Sequence, residues 1–449
     1  MADISKMADS RDRGYAWVAL AAMFFLNVLH SASFATLGIF IVEFLAYFET
    51  SKTKITWIGA IQMFLGNIAS ILSGPILKKF GCRAVLTASS LMICVSFVIC
   101  GLFDNLPVLY AFFGVFSGIG YIFMYIGGLV SIQHWFNKRR SLASGIFMTG
   151  LSAGTFIWPP LTRWLIDLYS WQGAFIVMAA ILLNGIVSAG LLRKVPETVT
   201  KNATNESKVK NIDDNENNIF SLAALRENIQ VVAPFALFLL GVLGEQMGHM
   251  NMYVYTPVRA QELNFEKHES PLLISVIGIV GLVCRPIAGW IADKPQINRT
   301  IMFGLSVTLV GALEMLSTQF SSFPLLLTVS VAFGIFSGGY IGIMGAVLVD
   351  IAGLANLEVA TGIFIATLGV GNVLLHPIAG TILDLTGSSN ILFWVFGSAQ
   401  LIGGILIMMV PLVKRNCSKP SNRNYGIDDQ EISHKNNDEG CLSINDNES

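Results

Sequence analysis

The chain of 449 residues is 53% hydrophobic and only 13% charged, with a mean hydropathy of +0.64. Soluble domains carry roughly a quarter charged residues, so this composition excludes a string of about three soluble domains and specifies an integral membrane protein. A net charge of −1 offers nucleic acid no basic tract, and the six cysteines show no CxxC spacing, so no disulfide framework, zinc site or other metal site is expected.

Residues 1–15 lack both an apolar core and a small-residue cleavage site, and read as a cytoplasmic N-terminus without a cleavable signal. Apolar runs near twenty residues long then follow at 16–45, 55–77, 83–103, 107–129, 142–165 and 171–193. The interval 194–229, with its KNATNESKVKNIDDNENN stretch, is polar and Asn-rich, and is expected to be a flexible cytoplasmic linker. Six further runs lie at 230–255, 271–293, 300–319, 323–349, 358–384 and 390–413, and the polar residues 414–449 are expected to form a disordered cytoplasmic tail. The expected fold is an all-α membrane protein of twelve transmembrane helices in two six-helix bundles, 16–193 and 230–413.

With the N-terminus inside, the tails and even-numbered connections hold 22 of the 28 Lys and Arg residues, and the outer connections with their edges hold five. That bias places both termini in the cytoplasm. Sequons at Asn202, Asn205, Asn298, Asn416 and Asn447 all fall on that side, so none is expected to carry glycan. An internal repeat supports the two halves. Residues 145–168 align with 362–385 at an offset of 217, with eight of 24 positions identical, among them Gly145/Gly362, Pro160/Pro377 and Asp167/Asp384. An offset spanning an even number of helices implies a parallel repeat about an axis normal to the membrane, with a site between the halves.

The remaining basic residue, Arg285, stands inside the eighth run directly before Pro286. A guanidinium keeps its proton, so at that depth it must meet water or an anion, and charges inside spans usually face a substrate path. Other polar groups share this depth. In the first run Asn27, His30, Ser31 and Phe34 fall on one helical face; in the seventh, Glu245 and His249 are one turn apart beside Gln246. A carboxylate and an imidazole so placed can share a proton, and the plain alternative is an interhelical hydrogen bond with no part in transport. Glu314 is expected off the cavity, near the headgroups or packed, and Asn372 and His376 are expected to break their helix together with Pro377.

Gly289 to Lys294 matches G-x-x-x-D-[RK], so the chain resembles the major facilitator superfamily: Gly289 allows close helix packing, and Asp293 and Lys294 reach a neighbouring helix at the cytoplasmic end. The first-half counterpart, from Gly74, carries Lys78 where the aspartate is expected, so a charged inner latch is expected in the second half. Asp12-Arg13-Gly14-Tyr15-Ala16-Trp17 and the stretch Trp135 to Gly154, with Arg139, Arg140, Gly145 and Gly150, resemble the two signature patterns of the monocarboxylate transporter family; the first departs at Arg13, Tyr15 and Ala16. On physical grounds Asp12 can cap the first helix, Trp17 suits the headgroup level, and Arg139 and Arg140 anchor topology. The resemblance implies a twelve-helix transporter with no cofactor. In proton-coupled members it implies a first-helix lysine and an Asp-x-x-x-Arg pair in the eighth; here those positions hold Thr36, Gly281 and Arg285.

The expected function is alternating-access movement of a small monocarboxylate, or another carboxylate-bearing solute such as an amino acid. Arg285 would engage the carboxylate, and Asn27, His30, Glu245, Gln246 and His249 would shape the cavity. Facilitation and proton symport both stay open, as does the need for a single-span accessory glycoprotein. The expected partners are the organic anion and the bilayer, and the expected location is the plasma membrane. A non-transporting sensor on the same fold is the alternative; enzymatic chemistry has no nucleophile, metal or phosphate-binding arrangement to support it.

Overall fold

A computed structural model describes residues 12–50, 52–193, 229–265, 269–386 and 388–417. The expected linker (194–229) lies outside the described residues except for Ile229, which opens a helix, and the expected tail (414–449) does so from 418 onward; residues 414–417, expected in that tail, instead continue the last helix. Among the described residues, ten stretches are long and apolar enough to cross a membrane. Two of them hold a helix pair each. Lys52–Leu102 is broken at Gly81 (φ 78, ψ 154), a conformation open essentially to glycine, and Arg140–Leu183 is broken at Ser170 (φ 60, ψ 176). The twelve helices among the described residues are α1 (Tyr15–Phe48), α2 (52–80), α3 (82–102), α4 (Leu106–Trp135), α5 (140–169), α6 (171–190), α7 (Ile229–Glu262), α8 (Glu269–Ala292), α9 (Arg299–Ser317), α10 (Phe323–Ala352), α11 (Leu357–Thr386) and α12 (Ser389–Cys417).

Local chemistry explains the irregular helices. The α1 helix loosens at Ser31 and Thr36, whose hydroxyls donate back to the carbonyls of Val28 (2.7 Å) and Ala32 (2.8 Å). Such back-bonding bends helices. Beyond the bend, Phe40 and Phe44 pack into an aromatic core with Phe97, Phe113, Trp171 and Phe175, the Phe40 and Phe175 rings stacking at 4.3 Å. By contrast α11 runs unbroken through Pro377, so the expected break there does not form.

Two bundles, α1–α6 and α7–α12, meet along the terminus-bearing end, the one that carries the first and last described residues, Asp12 and Cys417. The glycines set this contact. A Cβ on Gly145 of α5 would run into the Arg285 carbonyl of α8, and one on Gly289 of α8 into the Ser141 carbonyl of α5. On the other seam, Gly74 of α2 lies against Val359, and Gly362 of α11 against Ser70, whose hydroxyl donates to the Gly362 carbonyl at 2.8 Å. Small residues let backbones approach where lipid provides no hydrophobic drive for association. Among the described residues, hydrogen bonds between the halves run from the terminus-bearing end only as far as the level of Arg285.

Candidate functional site

Arg285 sits where the halves meet. Its backbone is held between Gly145 of α5 and Gly342 of α10, both too close to admit a side chain without displacement. The side chain is 8% exposed; Nη1 donates to the Met148 carbonyl of α5 at 2.7 Å, and Nε is buried with no partner. Among the described residues no carboxylate pairs with it. A Cβ built on Gly281, one turn earlier, would stand 3.9 Å from Arg285 Nε. The space in which an acid could have met the guanidinium is therefore left open. Tyr125 of α4, Tyr253 of α7 and Tyr340 of α10 lie within electrostatic reach instead.

Glu245 and His249 come together as expected, through a residue the sequence did not single out. The Tyr340 hydroxyl lies 2.7 Å from His249 Nδ1, and Glu245 is within electrostatic reach of the same hydroxyl. Glu245, Tyr340 and His249 thus form one buried polar cluster, in which the acid and the imidazole are the groups able to exchange a proton. His249 stacks on Phe333 (5.7 Å, 20°) and is itself in electrostatic reach of Arg285.

The other expected site residues divide. His30 of α1 faces this region: its ring lies 5.1 Å from that of Tyr125, and Nδ1 is 3.0 Å from the Tyr121 carbonyl, which can only accept and so fixes the neutral ring's proton on Nδ1. Asn27 is fully buried in the α1–α5 seam, where Nδ2 donates to the Phe147 carbonyl at 2.7 Å. Gln246 turns toward α11, donating to Asn372 Oδ1 at 2.8 Å. Both join helices. Glu314 is packed, its carboxylate accepting from Asn251 of α7 away from Arg285.

The terminus-bearing end holds the second constellation. Asp293, at the end of α8, accepts from the backbone N–H groups of Ser141 (3.0 Å) and Leu142 (2.9 Å) of α5 and from Arg299 Nη2 (3.0 Å), while Arg299 Nη1 reaches Asp350 at 3.2 Å. An anion at a helix N-terminus meets unpaired N–H donors and the positive dipole end. Lys294 does not join this latch; its ammonium lies over the Trp290 ring of its own helix, 4.5 Å from the centroid. Asp12 corrects an expectation as well. The first helix starts on Gly14 (φ 52) with no side-chain cap, and Asp12 instead accepts from the N–H groups of Asn137, Lys138 and Arg139, at the start of α5. Trp17 donates to the Asp12 carbonyl and carries the Arg139 guanidinium over its ring, while Arg140 donates from Nε to the Phe136 carbonyl. Among the described residues, no group of three or more His, Cys, Asp or Glu side chains is placed to hold a metal ion.

Sequence reasoning passed over Tyr125, Tyr253, Tyr340 and the Met148 carbonyl. Tyr253 follows Glu245 and His249 at the same four-residue spacing and could have been found; the others arrive from separate helices.

A family model of the Major Facilitator Superfamily matches residues 23–321. Similar proteins include Monocarboxylate transporter 12 of Mus musculus, 27% identical over 430 residues (91% of this chain, 88% of that protein), and Monocarboxylate transporter 13 of Rattus norvegicus, 25% identical (89% and 90%). Monocarboxylate transporter 11 of Homo sapiens is 25% identical over 90% of this chain and 85% of its own length. Among solved structures, the transporter FucP in the outward conformation superposes with a TM-score of 0.70 at 14% identity, covering 90% of this chain and all of that one, which speaks for the fold alone. The chain belongs to the major facilitator superfamily and is a membrane transporter, not an enzyme.

Proposed function

We propose that this transporter moves a small monocarboxylate, or another carboxylate-bearing organic solute, by alternating access, with Arg285 as the carboxylate anchor. One observation carries the reading: a buried guanidinium at the junction of the halves has an unpaired donor and no acidic partner among the described residues. A buried charge is costly until paired, and a carboxylate forms short, charge-assisted, bidentate contacts with this group. His30, Glu245 and His249 shape the surrounding cavity, and Tyr125, Tyr253 and Tyr340 supply aromatic walls.

The excess of basic residues makes the terminus-bearing end cytoplasmic, so the structure is closed to the cytoplasm. Moving to the opposite state separates α5 from α8 and α2 from α11, and pulls Asp293 from the start of α5. Protons enter the reading through Glu245, Tyr340 and His249, which can stand in for the missing lysine and aspartate; uncoupled facilitation is the competing mode. The proposed location is the plasma membrane, and whether delivery there needs a single-span glycoprotein as escort is measured by surface labelling with and without a co-expressed escort.

The test is uptake of a radiolabelled organic-acid panel into proteoliposomes. Arg285→Ala should cut uptake of any transported acid by about 100-fold, the worth of a buried charge-assisted pair; equal uptake by variant and unaltered protein refutes the anchor. A rate indifferent to an imposed pH gradient excludes obligatory proton coupling.

A further inference from the structure

We infer that the contact between His134 and Glu358 is a proton-operated latch, which ties closure of the terminus-bearing end to the pH on that side. The side of the membrane follows from the orientation proposed above. His134 lies in the last turn of α4 and Glu358 in the first turn of α11, one from each half, with Nε2 and Oε1 3.2 Å apart. Each charge suits its position, a cation at a helix C-terminus and an anion at an N-terminus. The side chains are 27% and 14% exposed, so protons reach them while bulk water screens them only in part. Beside them the α2–α11 seam is sealed by Gly74 against Val359 and by the Ser70 hydroxyl on the Gly362 carbonyl. Separation of the halves must break this contact.

The other latch at this end is Asp293 with its backbone amides and Arg299, and it contains no histidine. Histidine changes charge between about pH 5 and pH 8. Protonated, His134 forms an ion pair with Glu358 that exists only in the closed state; neutral, it offers at most a hydrogen bond. A proton therefore binds the closed state in preference to the open one, and by linkage acid on that side favours closure. The other charged or titratable groups at this end are Cys82 of α3, in electrostatic reach of Glu358; Arg140 of α5, which donates to the Phe136 carbonyl; Asp12, held on residues 137–139; Asp350 of α10, paired with Arg299; and Lys78 and Lys79 of α2, which are exposed. A partly exposed pair of this kind shifts the closed-to-open ratio about two- to fivefold.

The test needs no substrate, so its failure is distinct from a failure of the transport reading. Bio-orthogonal spin labels at the exposed positions Lys79 and Lys294, on opposite halves, report closure of this end in the full-length protein in nanodiscs. Between about pH 8 and pH 5.5 the ratio of short to long distances should rise two- to fivefold, and His134→Gln and Glu358→Gln should each hold it near the value at high pH. An unaltered ratio across that range overturns the latch, as does a pH response that survives in either variant. Should one variant fail to fold, the other decides.

Discussion

At the scale of single residues, Arg285 owes its character to what stands one turn away. Glycine at 281 supplies no acid, and Nε is left bare. Gly281→Asp would place a carboxylate within reach of that nitrogen and compete with the solute, so the KM for a transported acid should rise about tenfold or more while protein yield stays near normal. An unchanged KM would show that the solute carboxylate binds elsewhere. Tyr340 is a second sensitive residue, because its hydroxyl is the hydrogen-bond partner of the buried His249 Nδ1. Tyr340→Phe leaves that nitrogen short of a partner and should cost about 1–3 kcal/mol, seen as a lower Tm in detergent. Depth in an apolar run singled out Arg285, Glu245 and His249 as candidates, since each is polar where polarity is expensive. Asp12 was misread because its position before a helix suggests a cap, whereas the backbone at Gly14 turns the chain so that the carboxylate meets α5.

At the scale of helices, the crossing of α5 with α8 depends on glycine at 145 and 289, and α10 leans on the same carbonyl through Gly342. Gly145→Leu would push against the Arg285 backbone and hold the halves apart at the terminus-bearing end. Transport should fall by an order of magnitude or more, with cysteine-reactive probes gaining access to residues on the α5–α8 seam. Full activity in that variant would mean that the seam does not close during the cycle. All twelve runs were legible from length and hydropathy, because the bilayer demands about twenty apolar residues per crossing. The helix-breaking role expected of Pro377 was not realised: α11 continues through it, whereas α1 is interrupted at Ser31 and Thr36, whose back-bonding hydroxyls hydropathy does not register.

At the scale of the whole molecule, two bundles share one closed end, held by Asp293 on the start of α5 and by Arg299 between Asp293 and Asp350. Asp293→Asn keeps the shape but removes the charge from the helix N-terminus, and should shift the resting population toward opening at that end by about fivefold, readable by the same spin-label distances. The repeat between residues 145–168 and 362–385 disclosed this two-part plan, because both halves need small residues and a proline at matching depths. The company around Arg285 was illegible, since Tyr125, Met148 and Tyr340 meet it only after α4, α5, α8 and α10 have packed.

The central claim is that a solute carboxylate engages the Arg285 guanidinium. The most direct measurement compares uptake of a transported acid with that of its methyl ester, for the unaltered protein and for Arg285→Gln in proteoliposomes. The prediction is a preference for the acid of about 100-fold or more in the unaltered protein, collapsing to within about threefold in the variant. A variant that still prefers the acid to the full extent would contradict it.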